Sequence, residues 1–288
     1  MSSEKSKVVG GTLYLVGTPI GNLADISERA TKVLAEADFI AAEDTRNSLR
    51  LLMALGIKNE LISYHEHNRK SSGERIIARL LSGESCALIT DAGMPAISDP
   101  GEDIVRMCAD AGITVSVIPG ACAAISALAL SGLSTSRFAF EGFLSAKDSE
   151  RKKRLSSLAK EERTMIFYEA PHKLKNTLSD MRDAFGENRK ISLCRELTKL
   201  NEEIIRTTLG AAVEYYTERE PRGEYVLVVA GFDGARPVGD AEALLSPAEQ
   251  VKRYEAEGMG RMDAIKRAAK EHGMSKSELY RLLLPENE

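Results

Sequence analysis

Residues 13–43, LYLVGTPIGNLADISERATKVLAEADFIAAE, decide the architecture. LYLVG at 13–17 is a short apolar run, SERATKVLAEA at 27–37 spaces its apolar residues along one helical face, and DFIAAE at 38–43 is a second apolar run. Strand, helix and strand in this order predict parallel strands joined by a crossover helix. The pattern continues outward. TRNSLRLLMALG reads as a helix with Asp44 as its N-cap and Gly56 as its stop, and SCALIT at 85–90 and ITVSVIPG at 113–120 add strands separated by helical segments. Unbroken apolar strands of this kind belong to a parallel sheet buried on both faces.

A second block starts near Phe138. TMIFYEA at 164–170, KISLCRE at 190–196, EEIIRTTLG at 202–210 and EYVLVVAGF at 224–232 read as strands, and 148–160, 172–185 and 210–218 as helices. The strands near 190–208 have no helix between them, which predicts a mixed sheet. The expected organisation is α/β: one α/β domain at 11–122, a second at 123–232, a Gly/Pro-bearing linker at 233–246, and a helical module at 247–285. Within that module Ser246-Pro247 opens a helix, MDAIKRAAKEHG stops at Gly273, and Ser275 and Glu278 form a capping box. Ala269, Gly273, Leu279 and Leu282 fall at the small, turn and core positions of a helix-turn-helix. A helical dimerisation or docking module fits the same pattern; six basic against three acidic residues between Arg261 and Arg281 favour nucleic acid.

Composition narrows the function. The chain has 288 residues, 43% hydrophobic and 28% charged, with a net charge of −4. It is too acidic to coat nucleic acid nonspecifically, so nucleic-acid contact is expected as a local patch. Aromatic residues are only 5% with no Trp, which disfavours a stacking groove. Four scattered cysteines, Cys86, Cys108, Cys122 and Cys194, form no CxxC pair and fit a reducing cytoplasm. His65 and His67 lack further ligands at metal spacing, so no metal is expected. The polar start MSSEKSKVVGG has no signal-peptide pattern, and no apolar run approaches the ~18 residues of a membrane span.

Three loops follow strands and are built from Gly and Pro: VGTPIGN at 16–22, TDAGMPAISDPG at 90–101 and IPGACAA at 118–124. Ligands bind at the carboxyl ends of parallel strands, and glycine lets backbone approach them closely. Such loops singly often just turn the chain; three at successive strand ends point to a nucleoside site. No G-x-G-x-x-G, P-loop or G-x-S-x-G is present, which removes the usual support for dinucleotide binding, NTP hydrolysis and serine-esterase chemistry.

GTLYLVGTPIGNLADISERA, IAAEDTR, ITDAGMPAISDPG and PGACAAISAL, with FYEAPHKL at 167–174, LCRELTKL at 193–200 and RGEYVLVV at 222–229, resemble the tetrapyrrole methylase superfamily. Within it, they resemble the bacterial ribosomal-RNA (cytidine-2′-O)-methyltransferases, and GRMDAIKRAAKEHGMSKSELY resembles that family's tail. Met94 stands where the family usually has Thr, and Ala121 where Pro is common. The resemblance implies S-adenosylmethionine bound in a cleft between two α/β domains. Pro19, Gly93, Met94 and Ile97 would contact it, Cys122 and Ala123 would close another side of the pocket, and Tyr168, Leu197 and Gly223 would contact it from the second domain. It further implies small-subunit ribosomal RNA or the assembled small subunit as substrate, and a homodimer.

Methyl transfer from a sulfonium is an in-line displacement, so the protein must align the acceptor oxygen and can help remove its proton. Glu43 and Asp44, at the end of a strand, and His67 are the candidates for catalysis; for Asp44 helix capping competes, and for His67 an RNA contact. Cys122 reads better as a small buried hydrophobe than as a nucleophile. Glu169 and Arg195 are expected to form an ion pair across the cleft. Arg46 and the run Arg151-Lys152-Lys153-Arg154 are candidates for RNA phosphate contacts, against the reading of a solvated helix face. A target nucleotide in folded RNA would have to be extruded to reach the cleft. Two other readings use the same residues: a methylase of a tetrapyrrole or protein side chain, and a noncatalytic assembly factor with a relic pocket.

Overall fold

A computed structural model describes residues 7–234, 246–256, 258–271 and 274–283. Residues up to 235 group into one compact unit that contains two sheets, and the C-terminal helices form a second unit.

The first sheet is built from β1 (Thr12–Val16), β2 (Phe39–Ala42), β3 (Leu61–Ser63), β4 (Cys86–Ile89) and β5 (Thr114–Ile118), in the order β3-β2-β4-β1-β5 with every pairing parallel. Alternation along the strands divides its core. Tyr14, Val16, Ile40, Ala42, Ala87 and Ile89 face α1 (Glu28–Glu36) and α2 (Thr45–Ala54). Leu13, Phe39, Ala41, Cys86 and Leu88 face α3 (Arg69–Leu81) and α4 (Gly101–Asp110). The central strands are buried on both sides, as their apolar sequences predict. β5 is different: it is an edge strand, and Val117 is half exposed. Because α1 leaves β1 toward one face and α4 leaves β4 toward the other, a crevice opens between the carboxyl ends of these neighbours.

Local signals for α2 are fulfilled. The Asp44 carboxylate accepts the Arg46 backbone N–H at 2.8 Å, and Gly56, just beyond the helix, adopts φ +68°.

α5 (Ala123–Ser131) leads from β5 to the second sheet. That sheet comprises β6 (Phe138–Phe143), β7 (Thr164–Glu169), β8 (Lys190–Arg195), β9 (Glu203–Thr208) and β10 (Tyr225–Val229), ordered β6-β7-β10-β8-β9. It is mixed, as expected, with β6 and β7 parallel and the other pairs antiparallel. Met165, Phe167, Ile191, Leu193 and Leu227 pack against α6 (Asp148–Leu158), α7 (Pro171–Phe185) and α8 (Leu209–Tyr215). Ile166, Cys194, Val226 and Val228 pack against α5 on the opposite face.

The second unit contains α9 (Pro247–Ala256), α10 (Arg261–Glu271) and α11 (Lys276–Leu282) around Val251, Tyr254, Ile265, Ala268, Ala269 and Leu279. The Ser275–Glu278 capping box is present. Leu282, expected in this core, is exposed; Leu279 and Leu283, one turn apart, supply the inward stripe instead. The expected stop at Gly273, and positions 235–245 of the linker, lie outside the described residues.

β1 and β5 meet through glycine. A Cβ at Gly17 would lie 2.7 Å from the Gly120 Cα, and one at Gly120 2.8 Å from the Gly17 Cα. Backbone on both sides leaves no flexible group to yield. A Gly120→Ala variant is therefore expected to lose about 1–3 kcal/mol of stability in urea unfolding; an unchanged midpoint would show that the two loops separate freely.

Candidate functional site

The three Gly/Pro loops converge on the crevice and are tied by backbone. Thr18 and Gly93 exchange both hydrogen bonds, N–H to O at 2.9 and 3.2 Å, and the buried Thr18 hydroxyl donates to the Thr90 carbonyl at 3.2 Å. Gly93 has φ +88°, and a Cβ there would lie 3.3 Å from the Ala121 carbonyl oxygen and the Ile20 side chain. Further along the second loop, Ala96 and Ser98 take left-handed conformations at φ 67° and 63°. Asp99 holds this turn, its Oδ1 accepting the N–H groups of Ala96 at 2.9 Å and Gly101 at 2.7 Å. Its buried Oδ2 has no hydrogen-bond partner among the described residues. Non-glycine residues in such conformations cost about 1–3 kcal/mol each and cluster at ligand sites.

A cavity of about 480 Å³ lies between these loops and the α5 face of the second sheet. Gly93, Met94, Ile97, Cys122 and Ala123 line it from one side, and Tyr168 and Leu197 from the other. Pro19 and Gly223 stand one residue outside the lining, where Ile20 and Glu224 take the wall. Gly223 serves indirectly: at φ +79° it packs against the Glu196 side chain, whose carboxylate accepts the Glu224 N–H at 3.0 Å. The Tyr168 hydroxyl accepts the Ala124 N–H at 3.2 Å at the start of α5, and burial pushes its pKa up to about 12. It is a structural hydrogen-bonding group, neutral at physiological pH.

Glu43 lines the cavity and accepts a hydrogen bond from the Thr90 hydroxyl at 2.7 Å. Asp44 turns away. Both its oxygens are engaged by Arg46, whose guanidinium and backbone N–H hold the carboxyl down at about 2, so it caps α2. Asp91 fastens that helix to the second loop, accepting the Asp44 N–H at 3.3 Å and the Asn47 side-chain amide at 3.2 Å. His67 is exposed in the loop after β3, with its ring 5.9 Å from that of His65, and does not line the cavity. Among the described residues, no group of three or more His, Cys, Asp or Glu is placed to hold a metal ion.

The expected Glu169–Arg195 pair does not form. Glu169 is buried and accepts from the Thr177 hydroxyl at 2.5 Å and the Ala170 N–H at 2.8 Å, while Arg195 pairs with Glu203 at 3.1 Å. The basic run also divides. Arg151 is buried, bonded to Asp180 at 2.8 Å and Asp148 at 2.7 Å, so its cation is committed within the fold and unavailable to phosphate. Arg154 pairs with Glu141; Lys152 and Lys153 remain exposed, Lys152 lying 3.6 Å from Asp180. Arg46 is also exposed. Thr90, Asp91 and Asp99 escaped the sequence reading as individual residues, although all lie in TDAGMPAISDPG. Lys199, held by Glu196 at 2.9 Å and Glu224 at 2.8 Å, also lines the cavity and carried no sequence signal.

Three loops at the ends of parallel strands, facing a second, mixed sheet across a cavity, define a methylase architecture: residues 12–213 match the family described as Tetrapyrrole (Corrin/Porphyrin) Methylases, and the chain belongs to that family. Over nearly its whole length it is similar to proteins named ribosomal RNA small subunit methyltransferase I. The Synechocystis sp. protein is 46% identical, covering 95% of this chain and 98% of its own, and that of Halalkalibacterium halodurans 47% identical, covering 94% of each. The fold is shared with solved structures of much lower identity. Diphthine synthase gives a TM-score of 0.59 at 16% identity, covering 76% of this chain and 90% of its own. A cobalt precorrin-4 methyltransferase gives 0.57 at 16%, covering 80% and 97%.

The cavity wall places Cys122 within reach of small reagents. Burial pushes the thiols of Cys86 and Cys194 up and that of Cys108 up to about 11, which keeps them protonated and unreactive near neutrality. A thiol-alkylating reagent at pH 8 is expected to label Cys122 first, as read by peptide mass mapping, and an occupant of the cavity to slow that labelling. Equal labelling of Cys86 would contradict this burial pattern.

Proposed function

We propose that this protein transfers a methyl group from S-adenosylmethionine to the 2′-hydroxyl of a cytidine ribose in small-subunit ribosomal RNA, free or within the assembled subunit. The observation that carries this reading is the Glu43 carboxylate, positioned by Thr90 on the wall of a cavity of about 480 Å³. That size suits a small ligand. Gly93 leaves room beside backbone where a side chain would intrude, and Ile20, Ile97 and Leu197 supply apolar wall. These features suit a nucleoside carrying an amino-acid chain. When bound, S-adenosylmethionine supplies an activated methyl group.

The chain's own task is to align and deprotonate the acceptor. Glu43 is the base in this proposal: it takes the proton of the ribose hydroxyl as the oxygen attacks, and Thr90 fixes the carboxylate so that little reorganisation is needed. Asp44 supports it only through the α2 cap. The names of the relatives favour ribosomal RNA over a tetrapyrrole. Arg46, Lys152 and Lys153 are exposed cations that can meet phosphate, and Lys266, Lys276 and Arg281 are exposed on the C-terminal helices, which supports an RNA-docking role for that unit. We further propose a homodimer, supported by the half-exposed apolar Val117 and Ile125 on β5 and α5, and action in the cytoplasm. No described helix is long and apolar enough to cross a membrane.

The test is methyl transfer to small subunits from cells lacking the gene, with the product mapped by mass spectrometry. The wild-type protein is expected to add one methyl to a cytidine ribose, and Glu43→Gln to lower the rate about 10²–10⁴-fold with cofactor affinity retained. Methylation of a base, or full activity in the variant, would refute the assignment.

A further inference from the structure

We propose that Phe143 is the surface on which the base of the target nucleotide stacks; the inference rests on the RNA reading above. β6 is the edge strand of the second sheet, and its pairing with β7 sets Phe138 opposite Thr164, Phe140 opposite Ile166 and, after a bulge between Phe140 and Gly142, Phe143 opposite Tyr168. Parallel partners share a face, so the bulge returns Phe143 to the side of Ile166, Tyr168 and α5. Uninterrupted alternation would turn it to the opposite side, toward α6. Bulges re-aim side chains in this way beside active sites. Gly142, at φ +64°, makes the turn possible and lies against the cofactor-side loop, where a Cβ would be 3.3 Å from the Ser98 hydroxyl oxygen.

The redirected ring lines the cavity yet remains 61% exposed, so it forms the rim. It rests on Tyr168, ring centroids 5.4 Å apart, and Phe140 flanks Tyr168 at 5.1 Å. Tyr168 is itself fixed by the Ala124 N–H. A firmly backed aromatic face at the mouth, with Glu43 on the wall, matches what an extruded nucleotide needs: its ribose must reach the base while its nucleobase finds a stacking partner to replace the one it left. The low aromatic content of the chain is thus no bar to stacking, because three of its seven Phe residues lie along this edge on one face.

The experiment measures methyl transfer by the full-length protein to unmodified small subunits as their concentration is varied. Phe143→Ala is expected to raise the KM for subunits about tenfold or more, with S-adenosylmethionine affinity unchanged by calorimetry. Phe143→Trp should restore KM, whereas Phe143→Leu, apolar but without a π face, should not. Rescue by Leu as complete as by Trp would overturn the proposal, as would a wild-type KM in the Ala variant. Loss of cofactor affinity would assign the ring to the cofactor, and a KM change that follows dissociation into monomers would assign it to contact between copies; either overturns the proposal. Failure of the wild-type protein to methylate small subunits would overturn the RNA reading along with it, and is thereby distinguishable.

Discussion

Gly17 and Gly120 touch backbone to backbone, and beside them Thr18 and Gly93 pair through two hydrogen bonds. The cavity depends on these contacts. They bring the loops after β1, β4 and β5 together at the one place where the helices that follow neighbouring strands diverge to opposite faces of the sheet. Parallel strands alone would leave three loops side by side and open to water. Clasped through glycine, they present carbonyls, N–H groups and small side chains to a single space. Asp99 then stabilises the left-handed residues Ala96 and Ser98 by accepting two backbone donors.

The second sheet closes that space with different materials. Its α5-facing side is apolar, and Tyr168 connects it to the start of α5. At its edge the loop at 196–199 adopts left-handed conformations at Glu196 and Thr198, and the Lys199 cation is shared between Glu196 and Glu224. The result is a division of labour: backbone and small residues on the first wall, rings and ion pairs on the second, and one carboxylate, Glu43, held between them by a threonine hydroxyl. Charged groups near the cavity other than Glu43 are mostly engaged. Asp44 is occupied by Arg46 and Asp91 by the α2 start.

Much of this was legible in the sequence because it is local. The buried strands β1, β2 and β4 are unbroken apolar runs, Asp44 precedes its helix with Gly56 beyond the end, and the three loops announce themselves by Gly and Pro. What was missed depends on partners distant in sequence. Arg151 is one basic residue among four until Asp180, 29 residues on, draws it inside. Glu169 and Arg195 sit at strand ends as expected, but Thr177 one helix later satisfies the first and Glu203 on the neighbouring strand the second. β6 escaped because FAFEGF is an exposed edge strand whose alternation is broken by a bulge, so no simple period describes it. Leu282 was misplaced by one residue within a seven-residue helix.

On the proposed assignment, the clasped glycine loops, rather than any single charged side chain, create the cofactor site. The decisive measurement is calorimetric titration of S-adenosylmethionine into a Gly93→Leu variant. Gly93 is left-handed and faces the Ala121 carbonyl and Ile20 at 3.3 Å, so a leucine there must both strain the backbone and fill the cavity. The folded variant is expected to show no measurable binding, while the wild-type protein binds even in excess chelator. Wild-type affinity in Gly93→Leu would contradict it and remove the second loop from the site.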